Sequence, residues 1–282
     1  MTLFQSFFLG ILQGLTEFIP VSSTAHLLIA QKLLGIPASD AMFSFLVIVQ
    51  LGTIVSLFIF FWKDLWQIVR ATLVSIPLLI KRGTGKRDTG GPLDTDARLG
   101  WYIVIATIPA LLAGYLLKDA VEALFQTPLL EASIRLLTAA VLLTLAEWLT
   151  KKSRSLDSMT WLDALIVGLF QVIALFPGAS RSGTTISAGM FRGFDRKSAA
   201  RFAFLMSIPV MLAAGGYEML DVLKLPNLTS FILPLAVGFV TATIVGWFAV
   251  KWLLNYLGKH SLYVFAGYCA IVGATALIIY LV

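Results

Sequence analysis

Charge is scarce in this chain and cysteine almost absent. Only 13% of the 282 residues are charged against 59% hydrophobic, and mean hydropathy is +0.90, which excludes an ordinary soluble domain. The single Cys269 lies inside the last apolar stretch, where it reads as a small buried hydrophobe rather than a redox or metal-binding group. No Lys or Arg precedes residue 32, and Gln13 and Glu17 interrupt the first apolar run. A cleavable signal peptide, which needs a basic n-region, is therefore not expected. A long polar segment is missing too: the longest runs from about Lys63 to Arg98, too short for a soluble domain. Its Gly/Thr/Pro-rich core, residues 83–92, reads as a flexible loop.

What remains is membrane sequence. A spanning helix needs about 20 mostly apolar residues, and six stretches qualify, roughly 41–62, 99–118, 129–149, 198–220, 230–254 and 261–281. Basic residues cluster in 63–98, at Lys151, Lys152 and Arg154, at Arg192, Arg196, Lys197 and Arg201, and at Lys251 and Lys259. The connections near 118–130 and 221–229 carry Asp119, Glu122 and Asp221 instead. The positive-inside rule puts the basic regions in the cytoplasm and both termini outside. Most of the seven tryptophans flank span ends and read as interfacial anchors, and His260 beside Lys259 as an interfacial residue.

Two segments do not fit as spans. Residues 3–35 are broken by Gly14, Glu17, Pro20 and Ser22-Ser23-Thr24, and residues 161–190 by Pro177, Gly178 and a Ser/Arg/Thr run. Their apolar arms favour re-entrant helix-loop-helix hairpins, and the basic connections flanking 161–190 return that hairpin to its starting side. The two loops resemble each other weakly, Gln13 through Phe18-Ile19-Pro20-Val21-Ser22-Ser23-Thr24 against Gln171 through Leu175-Phe176-Pro177-Gly178-Ala179-Ser180. The expectation is an all-α, polytopic membrane protein with about six transmembrane helices and two re-entrant hairpins in an inverted-topology repeat. The repeats fall at about 1–128 and 129–282, with binding between the halves.

Arg181 stands in the middle of the second broken segment. A guanidinium at membrane depth is costly and marks a functional site by default. Ser22, Ser23 and Thr24, and likewise Ser180, Ser182, Thr184 and Thr185, stand where new helices would start, so two half-helix amino termini point at a common centre. Free amides, the helix dipole and a forked guanidinium suit phosphate. Glu17 repels an anion by itself but can hold a divalent cation that bridges to phosphate oxygens. His26 suits proton transfer or attack on phosphorus, with Ser23 or Ser22 as the other nucleophile. The plainer readings are that Glu17 simply pairs with Arg181, that His26 is a satisfied interior residue, and that the hydroxyls bond neighbouring helices.

Gln13-Gly14-Leu15-Thr16-Glu17-Phe18-Ile19-Pro20-Val21-Ser22-Ser23-Thr24-Ala25-His26 and Pro177-Gly178-Ala179-Ser180-Arg181-Ser182-Gly183-Thr184-Thr185 resemble the two signature segments of the undecaprenyl-diphosphate phosphatases associated with bacitracin resistance. The resemblance extends through the whole length. It implies hydrolysis of a C55 isoprenoid diphosphate to the monophosphate carrier lipid of cell-wall synthesis. It also implies Mg²⁺ or Ca²⁺ as cofactor, a site open to the outer face of a bacterial cell membrane, and a homodimer, with no nucleic-acid partner. By position, Glu17 is then the metal-associated acid, His26 and Ser23 are nucleophile or acid/base candidates, and Arg181 with Ser180 and Thr185 is the diphosphate clamp. Many members have Glu at the position of Gln13, so this chain has one carboxylate where they have two, and Gln13 can supply at most a neutral carbonyl ligand. Lipid phosphatases built on a Pro-Ser-Gly-His segment find no match, since position 187 is Ser. The alternative function is a carrier flipping a lipid phosphate or other anion, which gains little from an acid at its centre.

Overall fold

A computed structural model describes residues 1–37, 39–83, 93–117, 127–176, 179–222 and 228–282. Among them run α1 (Leu3–Thr16), α2 (Ser23–Leu33), α3 (Asp40–Phe60), α4 (Trp62–Gly83), α5 (Thr95–Leu116), α6 (Pro128–Leu149), α7 (Trp161–Ile173), α8 (Arg181–Phe191), α9 (Arg196–Val222), α10 (Leu228–Leu257) and α11 (Tyr263–Leu281). Helices α3, α5, α6, α9, α10 and α11 are long and apolar enough to cross a membrane. The chain is thus an all-α polytopic membrane protein, and the spans lie within a few residues of those expected.

The polar segment after residue 62 differs from its composition. It is helical as far as Gly83, while residues 84–92, most of the expected flexible loop, lie outside the described residues. The reason is periodicity: Ile68, Thr72 and Ser75 recur on one face, and that face packs on α5, where Thr72 meets Gly100 and Trp101 donates to Ser75 Oγ at 2.9 Å. Lys63, Asp64 and Arg70 lower the average hydropathy without disturbing that stripe.

The arms α1–α2 and α7–α8 are the two hairpins, and they are built alike. Thr2 and Gln5 form a capping box at the start of α1, and Thr160 and Asp163 form the same box at the start of α7. Ser22 caps α2 and Ser180 caps α8. Each pair is 158 positions apart (160 less 2, 163 less 5, 180 less 22).

Small residues dock the arms. Gly14 does not break the first arm as expected, because α1 runs through it, and the true break follows Thr16. Gly10 and Gly14 lie against Gly238, Ala242 and Gly246 of α10; a Cβ on Gly10 would come 2.7 Å from the Gly238 carbonyl oxygen. Without a hydrophobic force between helices in lipid, close backbone approach of this kind supplies the dispersion that holds the arm. In the second hairpin Gly168 lies on Ala106 of α5.

These contacts fix direction. Arm α1 runs parallel to the first half of α10, whereas α7 starts at the opposite end, where Glu147 ties together three helices. Its carboxylate accepts from Arg196 at 2.6 and 2.8 Å, Lys152 lies 2.7 Å away, and the Leu262 amide donates at 2.7 Å. The hairpins therefore enter from opposite ends of the bundle, and their tips meet inside it.

Candidate active site

The first tip is a tight turn. After α1 ends, four turn residues lead to Ser22, whose φ of 66° is left-handed and strained for a residue with a side chain. His26, one turn into α2, spans that strain: its Nδ1 lies 2.8 Å from the Ser22 carbonyl oxygen and its Nε2 2.7 Å from the Tyr268 hydroxyl. A carbonyl can only accept, so Nδ1 carries the hydrogen and the neutral ring accepts from Tyr268 through Nε2. Cys269 beside it is buried, its thiol 3.8 Å from the Pro20 carbonyl oxygen at the same turn.

The strained turn presents Ser23 to Glu17. The Ser23 hydroxyl donates to Glu17 Oε2 at 2.6 Å, and Gln13 Nε2 donates to the same oxygen at 2.8 Å. Arg181 donates to the other oxygen and forms an ion pair with the carboxylate. The Glu17 side chain is 3% exposed and that of Arg181 24%, so the guanidinium keeps an open side. Sequence separation between these two groups is 164 residues, and only the meeting of the hairpin tips joins them.

Arg181 is the first residue of α8. Ser180 Oγ accepts the Gly183 amide at 3.3 Å, and the amides ahead of it have no intrahelical acceptor, so a partial positive charge adds to the guanidinium. Ser182 Oγ lies 3.5 Å from both Ser180 Oγ and the Ile19 carbonyl oxygen, at the contact between the tips.

These groups line a cavity of about 300 Å³. Its polar wall holds Glu17, Ser22, Ser23, Thr24, Ser180, Arg181 and Ser182, with Gln50, Arg135 and Gln171; Ala174, Leu175, Val210 and Ala214 form an apolar wall. Ala214 is also an exposed residue of the spanning helix α9, so the cavity runs from buried charge to the surface of the bundle. Another cavity of about 300 Å³, lined by Asp96, Arg98, Asp157 and Arg201, lies at the basic end of the bundle and contains neither hairpin tip.

Not every expected site residue lines the main cavity. Gln13 stands behind Glu17 as a hydrogen-bond donor, and His26 is turned to Tyr268. Thr185 donates to the Arg181 carbonyl at 2.8 Å, and the Thr184 hydroxyl is buried with no hydrogen-bond partner among the described residues. Three polar cavity residues, Gln50, Arg135 and Gln171, were not among the expected site residues. Arg135, 5% exposed in the first half of α6, donates to the Ala179 carbonyl at 3.1 Å. The rule that singled out Arg181, an ionisable group inside a membrane segment, applies equally to it. Gln171 was visible only as the counterpart of Gln13.

Fold and site together define a membrane-embedded protein whose cavity brings a carboxylate and hydroxyls together with two guanidinium groups. Residues 6–275 match the family model described as "Bacitracin resistance protein BacA". The chain belongs to that family. It is 42% identical to an undecaprenyl-diphosphatase of Chlorobium phaeobacteroides (strain BS1), over 95% of this chain and 93% of the relative. Identity is 40% to the undecaprenyl-diphosphatase of Chlorobium phaeovibrioides (strain DSM 265 / 1930), over 99% and 97%, and 38% to that of Mycobacterium marinum (strain ATCC BAA-535 / M), over 99% and 95%.

Proposed function

We propose that the chain hydrolyses undecaprenyl diphosphate to undecaprenyl phosphate and inorganic phosphate, recycling the carrier lipid for cell-wall synthesis and so conferring bacitracin resistance. The observation that carries this reading is the Ser23 hydroxyl donating to Glu17 Oε2 at 2.6 Å with Arg181 on the same carboxylate, inside a cavity with an apolar wall. A nucleophile within hydrogen-bond reach of a base is the arrangement group transfer needs. The diphosphate fits the polar wall and the isoprenoid leaves along Leu175, Val210 and Ala214.

Ser23 Oγ attacks the terminal phosphorus and gives its proton to Glu17. The Ser23 O–P bond forms, the bridging P–O bond breaks, and undecaprenyl phosphate leaves with the proton that Glu17 took from Ser23, which returns Glu17 to the carboxylate. Water then gives a proton to that carboxylate and attacks the phosphoserine, the Ser23 O–P bond breaks, and the serine oxygen takes the proton back from Glu17 as inorganic phosphate is released. Arg181 and the amino terminus of α8 offset the charge on the phosphoryl oxygens. His26 does not attack: its ring nitrogens hold the Ser22 turn and the Tyr268 hydroxyl, which makes it a positioning residue for Ser23.

Among the described residues no three His, Cys, Asp or Glu side chains gather into a metal cage. Glu17, with the oxygens of Ser23 and Gln50, is nevertheless a hard-oxygen set that suits Mg²⁺ or Ca²⁺ once phosphate oxygens complete the shell. Such an ion would supply charge neutralisation. The positive-inside rule places the basic end in the cytoplasm and both termini outside. The cavity, which reaches Arg135 near the start of α6 and Ala214 near the end of α9, then opens outward.

The test is phosphate release from undecaprenyl diphosphate by purified protein in detergent, where transport cannot register, with and without chelator. Wild type releases phosphate; Ser23→Ala does not, and brief exposure to substrate labelled in the terminal phosphate leaves label on wild-type Ser23. Turnover by Ser23→Ala overturns the serine route, and no release by wild type overturns the phosphatase reading in favour of a carrier.

A further inference from the structure

The caps and the first-arm glutamines of the two hairpins correspond at a spacing of 158 residues, but the acidic partner of the first glutamine has no counterpart. Gln13 and Glu17 stand four apart on α1, and the carboxamide of the first is satisfied by the carboxylate of the second. The counterparts 158 residues on are Gln171 and Leu175. Leucine offers no acceptor, so neither end of the Gln171 carboxamide has a hydrogen-bond partner among the described residues, although the residue is only 1% exposed. A buried amide in that condition destabilises the protein unless something else satisfies it. Gln171 lines the main cavity together with Arg135.

We propose that Gln171 and Arg135 form a second phosphoryl subsite, taking the phosphate that stays on the lipid while Arg181 and the amino terminus of α8 hold the one that is transferred. The proposal rests on the phosphatase reading and assigns the two phosphates of the diphosphate to different groups of the polar wall. Three observations support that division. The reacting pair, Glu17 and Ser23, sits with Arg181, so the terminal phosphorus belongs there. Gln171, Ala174 and Leu175 share one face of the second hairpin's first arm and its end, so the orphaned amide adjoins the wall along which an isoprenoid leaves. Arg135 reaches the cavity from a spanning helix, and its forked guanidinium, which also donates to Ala179, matches phosphate oxygens. It is placed to offset charge on the leaving lipid phosphate as the bridging bond breaks.

The informative variant is Gln171→Met, because it removes an amide that no described protein group uses while nearly keeping the volume. In the full-length protein in detergent, the melting temperature without ligand should stay level or rise. The KM for undecaprenyl diphosphate should rise about 10- to 100-fold, the range of a hydrogen bond to a charged group, and by more than kcat falls. Inhibition by undecaprenyl phosphate should weaken in parallel, and inhibition by inorganic phosphate should not. Arg135→Gln should show the same split, and Arg135→Lys should restore part of it. A KM unchanged in Gln171→Met, or equal weakening towards both products, overturns the subsite. Thermal shifts with undecaprenyl phosphate and with inorganic phosphate separate this proposal from the one beneath it. A wild-type shift with the lipid phosphate that Gln171→Met loses upholds the subsite even if wild type releases no phosphate; equal shifts in the two proteins overturn it.

Discussion

Replacing Glu17 with Gln changes one oxygen to nitrogen at the centre of the site and leaves shape nearly untouched. The carboxylate accepts from Gln13, Ser23 and Arg181 and is 3% exposed. A carboxamide oxygen can still accept from one or two of these donors, but the charge opposite Arg181 is gone. Removing one partner of a fully buried ion pair costs about 3–5 kcal/mol. The Arg181 side chain is 24% exposed and partly solvated, so a loss nearer 1–3 kcal/mol is expected, visible as a lower melting temperature without unfolding. Catalysis should suffer more. A positioned base contributes about 10²–10⁴ in rate, or roughly 3–5 kcal/mol of barrier. Phosphate binding should be retained or tightened, since the guanidinium no longer shares its donors with a carboxylate. The assay is kcat for phosphate release together with the inhibition constant of inorganic phosphate, on protein shown to be folded by its melting curve. A folded Glu17→Gln variant with kcat within tenfold of wild type refutes the base assignment. One that loses phosphate inhibition together with kcat refutes the view that the carboxylate and the anion compete for Arg181.

Tyr268→Phe removes the hydroxyl that His26 accepts and should lower kcat only a few-fold, while His26→Ala, which also releases the strained Ser22 turn, should lower it more than tenfold yet still permit phosphoserine formation. A variant at His26 that binds substrate but never labels Ser23 would return His26 to the nucleophile's role. Asp163, at the rim of the second hairpin, accepts from Arg154 at 2.7 Å, Arg192 at 2.6 Å and Thr160 at 2.8 Å. Burial pushes its carboxyl upward, but the hydrogen bonds from Arg154, Thr160 and Arg192 outweigh it and hold the group well below the ordinary value of 3.8. A depressed folded value contributes stability that is present above the unfolded value and is lost as pH falls through the folded one, so this contribution should be constant from pH 7 to 5 and fade only under stronger acid. Asp163→Asn should lower the melting temperature at pH 7 and abolish that acid-side dependence; an unchanged melting temperature would show that the clamp does not hold the hairpin.

Much of the fold was legible because lipid imposes strict rules. Apolar length gave the six spans, and the breaks at Pro20 and Pro177 marked segments too short to cross. Average hydropathy failed at α4, where a buried stripe at Ile68, Thr72 and Ser75 sits among charges, and at Gly14, which packs a helix rather than ending it. At the site, Arg181 and Glu17 were legible because a charge inside a membrane demands a reason. Arg135 obeyed the same rule but sat in an otherwise ordinary span, and Gln171 carried no charge to betray it. His26 looked equivalent to Ser23 in sequence, since both follow the same break.

The sequence by itself determined that the chain spans a membrane, that two of its segments turn back within it, and which side chains at their tips carry charge and hydroxyls. Those are local matters, set by apolar length, helix-breaking residues and the cost of burying an ionised group. Only the tertiary structure decided that the tips meet, that Glu17 holds Ser23 and Arg181 at once, that His26 is spent on the Ser22 turn, and that Gln171 is left facing the cavity. Glu17 meets Arg181 across 164 residues and His26 meets Tyr268 across 242, brought together by helix packing, and no single stretch of chain contains that information.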